Sequence, residues 1–146
     1  MKFTIDNRTP VYLQVVEYFK EQIASGQLKT GDEMPSRREL AATLKINPNT
    51  VQRAYKEMEE AGLIYTDGNV PSKVTEDEQI IKQVREQLLT EALEQFVTTA
   101  KNLHISFDDL LPLLKRQYEQ IPTQVKKGKP SAGDPNDREI IRGDKR

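Results

Sequence analysis

The chain has no cysteine, no tryptophan and a single histidine among its 146 residues. The lack of cysteine excludes disulfides, thiolate nucleophiles and cysteine-ligated metals, and one histidine cannot form a multi-histidine metal site. No apolar run approaches the roughly 20 residues that a membrane-spanning helix needs, and the N-terminus lacks the apolar segment of a secretory signal. We therefore expect a cytoplasmic protein with no membrane partner, no metal and no cofactor.

The chain also lacks an excess of either charge, because it has 22 lysines and arginines and 23 aspartates and glutamates. This balance excludes a polybasic protein that binds nucleic acid through bulk charge alone. The net charge is zero over residues 1–75, −4 over 76–122 and +3 over 123–146. The last segment has few large aliphatic residues, which predicts a flexible tail at 122–146. This tail is either an inert terminus or a basic arm that touches nucleic acid or a partner.

Apolar periodicity and capping residues predict three helices in the first half of the chain. The first, over residues 11–25, carries an apolar stripe at helical spacing. The second begins at Ser36, where Ser-Arg-Arg-Glu forms a capping box, and ends near Lys45. The third begins with Pro48, since proline suits the first helical position, and it ends before Gly62.

The second and third helices are joined by about three residues, which is typical of a helix-turn-helix. Asn49 and Arg53 are four residues apart, so they share the outer face of the third helix. In a major groove, arginine pairs with guanine, while asparagine or glutamine pairs with adenine. We expect Asn49 and Arg53 to read bases with help from Gln52, while Thr50 and the helix N-terminus hold a phosphate.

A short hairpin is predicted directly after the third helix. The β-prone residues 63–66 and 70–75 flank Asp67-Gly68, a turn signal. A hairpin that follows a helix-turn-helix is a wing. The predicted fold is therefore mainly α with a small β wing, forming a winged helix-turn-helix domain over residues 8–76.

Three motifs occur in order within residues 9–75. They are Pro10-Val11-Tyr12-x-Gln14, Pro35-Ser36-x-Arg38-Glu39-Leu40-Ala41 and Asn47-Pro48-Asn49-Thr50-Val51-Gln52-x-Ala54-Tyr55. Together they resemble the DNA-binding domain of the GntR family of bacterial transcriptional regulators. The Asn-Pro-Asn-Thr-Val variant and the short C-terminal part are similar to the YtrA-like branch of that family. The resemblance implies a dimeric regulator, most simply a repressor, whose winged helix binds operator DNA.

The resemblance also extends the set of expected DNA contacts. The family's contact positions fall on Ser36, Arg38, Asn49, Thr50 and Arg53, with Arg37 beside them. The full predicted set is Ser36, Arg37, Arg38, Asn47, Asn49, Thr50, Gln52, Arg53 and Lys73.

The sequence departs from the family pattern at two places. Lys45 stands where the family usually has glycine, so the turn after the second helix is expected to tighten differently. The wing span 67–73 lacks the family's arginine and glycine pattern, and Lys73 is its only cation. We therefore expect DNA binding to depend on the third helix.

Residues 77–121 are predicted to form a helical dimerisation lobe. Residues 78–103 carry a wide apolar stripe, and Ser106 begins a second amphipathic helix. Two such helices make too small a core to be stable alone, so two copies are expected to pack across a two-fold axis. The dimer would present its third helices to the half-sites of a near-palindromic operator. The predicted interface residues are Ile81, Val84, Leu88, Leu89, Ala92, Leu93, Phe96, Leu110, Leu111 and Leu114.

Other functions stay open at this point. The neutral domain and the altered wing also fit a winged helix used as a protein-interaction module with weak or no DNA binding. A regulator that senses a small-molecule effector in a small pocket of the helical lobe is a further alternative. An enzyme is not expected, because the sequence contains neither a glycine-rich phosphate loop after a strand nor a nucleophile elbow.

Overall fold

The computed structural model describes residues 3–68 and 70–123. These residues form five helices and two short strands, and the first is α1 (Val11–Ala24). The others are α2 (Arg37–Leu44), α3 (Pro48–Glu60), β1 (Ile64–Tyr65), β2 (Lys73–Val74), α4 (Glu78–Asn102) and α5 (Phe107–Gln120). The prediction of a mainly α fold with a small β wing is confirmed. The predicted tail lies outside the described residues, except for its first two positions.

Side-chain caps define the helix-turn-helix formed by α2 and α3. The Ser36 hydroxyl accepts a hydrogen bond from the Glu39 N–H at 3.0 Å, which starts α2. The Asn47 side chain accepts one from the Asn49 N–H at 2.7 Å, and Pro48 follows it at the first position of α3. Between the two helices, Lys45 adopts the left-handed conformation with φ of 58°. These caps satisfy N–H groups that helix ends otherwise leave without partners.

The core of the first unit lies where α1 and α2 pack against α3. Tyr55 of α3 is fully buried at its centre, and its hydroxyl donates a hydrogen bond to the Pro35 carbonyl at 2.6 Å. Burial raises the pKa of the Tyr55 hydroxyl because the charged phenolate is poorly solvated there. The other large, fully buried side chains include Val15, Phe19, Ile23, Leu40, Val51, Met58, Leu63 and Ile64.

The wing is shorter than the sequence suggests. Ile64 pairs with Val74 and Tyr65 with Lys73 in an antiparallel ladder, and Glu33 adds an isolated bridge to Lys73. Pro71 has no N–H to donate, so the ladder cannot continue past β2 toward the turn. Instead, the Thr66 and Ser72 hydroxyls hydrogen-bond across the loop at 2.5 Å.

The chain divides into two compact units between Arg85 and Glu86, inside α4. The sequence placed this boundary earlier, at residues 76–77. The first turns of α4 belong to the winged helix: Ile81 and Val84 are buried, and the Arg85 guanidinium donates to the Ala24 carbonyl at 3.3 Å. Ile81 and Val84 were predicted at the dimer interface, but they are already covered within the single chain. We therefore reassign them to the interior of the first unit.

The second unit holds the rest of α4 and all of α5. Ser106 begins α5 by accepting a hydrogen bond from the Asp109 N–H at 3.2 Å, as the capping pattern predicted. Along α5, which the structure describes in full, no residue is buried. In the described part of the chain, no helix is long and apolar enough to cross a membrane.

Candidate nucleic-acid interface

α3 has one buried face and one exposed face. Val51, Ala54, Tyr55 and Met58 are completely buried against the rest of the unit. The exposed polar positions of α3 are Asn49, Gln52, Arg53, Lys56, Glu57 and Glu60. The N-terminal part of the helix therefore offers two amides and two cations, which suit base edges and phosphates, whereas Glu57 and Glu60 make its C-terminal end acidic.

An open groove of about 540 Å³ lies between α2 and α3. Its polar lining consists of Arg37, Arg38, Asn49 and Gln52, and the apolar lining includes Ala42 and Ile46. Arg38 supplies guanidinium donors, whereas the two amides offer both donors and acceptors. The groove thus combines the groups that bind a phosphate with the groups that read a base pair.

Arg53 lies on α3 beside α1 and is not part of the groove lining. Its guanidinium carbon sits 3.8 Å from the centroid of the Tyr12 ring. One terminal guanidinium nitrogen donates a hydrogen bond to the Tyr12 hydroxyl at 3.2 Å. The side chain is therefore exposed but held in a defined position.

Arg37 also borders the groove, but it differs from its neighbour Arg38 because its guanidinium is engaged in contacts within the unit. It pairs with the Glu59 carboxylate at 3.0 Å and lies 4.7 Å from the centroid of the Tyr55 ring. The same Glu59 oxygen accepts a hydrogen bond from the Thr66 hydroxyl at 2.6 Å. Arg37 therefore belongs to a network that joins α2, the end of α3 and the wing, and its role as a DNA contact stays a prediction.

The remaining predicted contacts are spread over the unit. The side-chain oxygens of Ser36 and Asn47 cap the two helices, and Thr50 is half-buried in the first turn of α3. Lys73 lies in β2 opposite Tyr65. Among residues 3–68 and 70–123, no three histidine or acidic side chains are grouped closely enough to hold a metal ion.

Tyr12 was not among the predicted site residues. Its place in the apolar stripe of the first helix suggests a core position, yet the structure leaves the ring only partly buried beside Arg53. One sequence signal points to this contact. A tyrosine on an apolar stripe carries a hydroxyl that needs a partner, and a basic residue on the neighbouring helix can supply it.

Comparisons with known proteins agree with this geometry. Residues 11–74 match the model of the bacterial regulatory proteins of the gntR family. The chain is 35% identical over 106 residues to the HTH-type transcriptional regulator YhcF of Bacillus subtilis (strain 168), covering 73% of this chain and 88% of that protein. It is 34% identical over 122 residues to the HTH-type transcriptional repressor YtrA of the same organism, covering 83% and 91%.

A solved structure, described as a GntR family transcriptional regulator from Listeria monocytogenes, is similar in fold. It superposes with a TM-score of 0.72 at 35% identity, and the match covers 77% of this chain and 98% of that one. These relatives are transcriptional regulators and not enzymes, which agrees with the expectation from the sequence. The chain belongs to the GntR family of bacterial transcriptional regulators, with a winged-helix DNA-binding domain.

Proposed function

We propose that this protein is a homodimeric repressor that inserts α3 into the major groove of a near-palindromic operator. The observation that carries the proposal is the exposed face of α3. It presents Asn49, Gln52 and Arg53 beside the exposed Arg38 of α2, while the opposite face forms the core. A helix that is rigidly supported from behind and polar in front can read base edges with little reordering.

The side chains divide into two roles by chemistry. Asn49 and Gln52 carry amides that match adenine, and Arg53 carries a guanidinium that matches guanine. Arg38 carries guanidinium donors that suit phosphates, which fix the register of the helix on the duplex. The N–H groups of Asn49 and Thr50 at the start of α3 are already bonded to Asn47. Ser36 and Asn47 act mainly by holding the ends of the two helices, because their oxygens already serve as caps.

A second copy of this chain is the proposed partner of the second unit. Leu93, Leu111 and Leu114 are each close to half exposed in the single chain. A surface of this kind is typical of an interface, because monomeric proteins rarely leave large contiguous apolar patches in water. The proposed interface keeps eight of the predicted residues: Leu88, Leu89, Ala92, Leu93, Phe96, Leu110, Leu111 and Leu114.

The proposal is tested by selecting bound duplexes from random DNA and measuring affinity across a salt series. We expect the affinity for a selected duplex to fall steeply with salt, because phosphate contacts release counterions. A complex whose affinity is independent of salt, or the absence of any selected sequence, would contradict DNA binding and favour a protein-interaction module.

Arg53→Ala tests the assignment of base reading to α3. We expect a loss of about 1–3 kcal/mol on the selected duplex, together with a relaxed preference at one base pair in each half-site. Binding competition among duplexes that differ at single positions measures both effects. Lys56→Ala on the same exposed face is the matched control for the loss of one positive charge. Equal losses on selected and random DNA would assign Arg53 to a phosphate.

A further inference from the structure

Tyr12 and Arg53 form a contact that joins α1 to the exposed face of α3. They are 41 positions apart in sequence, yet the arginine nitrogen and the tyrosine hydroxyl are 3.2 Å apart. The guanidinium carbon lies 3.8 Å from the ring centroid, so the cation rests on the face of the ring. This distance is well within the range at which a cation is attracted to an aromatic ring.

We infer that Tyr12 is a positioning residue for DNA recognition, acting through Arg53. The inference rests on the proposed function, because it assigns a purpose to Arg53 only if α3 contacts DNA. The ring face fixes the guanidinium, and the hydroxyl accepts one of its five N–H groups. Four donors then remain for a base edge or a phosphate.

This arrangement would order the Arg53 side chain before the protein binds DNA. A free arginine side chain samples many rotamers and loses that freedom when it docks on DNA. An arginine already resting on a ring has lost part of it in the free protein. Tyr12 is therefore expected to strengthen specific binding without touching DNA itself.

A purely structural role for the pair is disfavoured by its location. α1 and α3 already pack together through buried side chains, such as Phe19 and Tyr55, whose ring centroids are 6.4 Å apart. Arg53, by contrast, is exposed at the surface. An exposed contact between a cation and a ring stabilises a fold only slightly, so its loss should leave the melting temperature nearly unchanged.

The test is a double-mutant cycle between Tyr12 and Arg53, read by affinity for the selected duplex. We expect Tyr12→Leu to weaken binding by roughly three- to tenfold in the wild-type background. In the Arg53→Ala background the same change should cause no further loss, because the residue through which it acts is gone. Tyr12→Phe keeps the ring and loses only the hydroxyl, so we expect a loss of about twofold.

Gln52→Ala provides a control background that is matched to Arg53→Ala in the double-mutant cycle. Gln52 lines the groove on the other side of α3, so Tyr12→Leu should cost the same factor there as in the wild type. The inference is overturned if Tyr12→Leu leaves the affinity unchanged, or if it costs equally with and without Arg53. If Tyr12→Leu does not fold, Tyr12→Phe in the two Arg53 backgrounds decides the question in the same way. A wild-type protein that binds no duplex would overturn the proposed function, and this inference with it.

Discussion

Two adjacent arginines show how strongly the surroundings of a residue determine its role. Both border the groove, but Arg38 is exposed, whereas Arg37 is bound to Glu59, and the side chains of that pair are 31% and 33% exposed. Removing Arg38 should weaken binding to selected and random duplexes alike and reduce the salt slope by about one unit. Removing Arg37 should instead lower the free energy of unfolding by about 1 kcal/mol, because Glu59 loses its ion-pair partner and keeps only the hydrogen bond from the Thr66 hydroxyl.

The Arg37→Ala and Arg38→Ala variants serve as controls for each other. Both remove one guanidinium from neighbouring positions of α2, so a difference between them reflects contacts and not charge. Urea unfolding measures the stability of each variant, and binding at several salt concentrations measures its slope. An Arg37→Ala variant that keeps its stability and loses salt dependence would show that Arg37 acts as a DNA contact.

At the scale of the element, the end of α2 contains a strained residue. Lys45 holds φ at 58° and ψ at 47°, a left-handed conformation that costs a non-glycine residue roughly 1 kcal/mol. Glycine adopts this conformation freely. We therefore expect Lys45→Gly to raise the free energy of unfolding by about 0.5–1 kcal/mol, offset in part by the greater freedom of glycine in the unfolded chain.

Lys45→Ala is the control for this change, because it removes the same side chain and keeps the strain. Thermal unfolding of the three proteins should place the glycine variant highest, with the alanine variant at or below the wild type. If both variants lose stability equally, the lysine side chain stabilises the turn, and backbone strain is not the dominant effect.

The elements also show which features a sequence can predict. Helix starts at Ser36, Asn47 and Ser106 were predicted because a cap involves residues within three positions of each other. The partner of Arg37 is 22 residues away and the partner of Arg53 is 41 away, and no local pattern reports such contacts. The strands were predicted too long because β-propensity does not register where side-chain hydrogen bonds replace the ladder.

The difference between local patterns and tertiary contacts also explains why only part of the predicted dimer interface is exposed. The apolar stripe of α4 predicted a buried face, and the structure buries Ile81 and Val84 of that face within the first unit. Ile81 and Val84 are covered within the chain, whereas Leu93 and Phe96 further along the same helix are 47% and 40% exposed. Periodicity shows that a face is apolar, and only tertiary structure shows whether that face is already covered.

At the scale of the whole molecule, the exposed apolar stripe of the second unit leads to a prediction about dimerisation. Leu93→Glu places a charge at its centre, and a buried unpaired carboxylate is costly. We expect light scattering at micromolar concentration to show a dimer for the wild type and the 16.7 kDa chain alone for the variant. Affinity for a duplex with two half-sites should fall, while affinity for a single half-site should stay the same, because each winged helix is intact.

Thr98→Glu adds the same charge to an exposed position on the side of α4 away from the proposed interface, so it should remain dimeric and bind both duplexes like the wild type. The pair of variants separates the effect of the charge from the effect of its position. A wild-type protein that scatters as a monomer would refute the proposed interface. A Leu93→Glu monomer that still bound the two-site duplex as tightly as the wild type would show that dimerisation does not support operator binding, because joining two binding sites should otherwise strengthen the complex beyond either site alone.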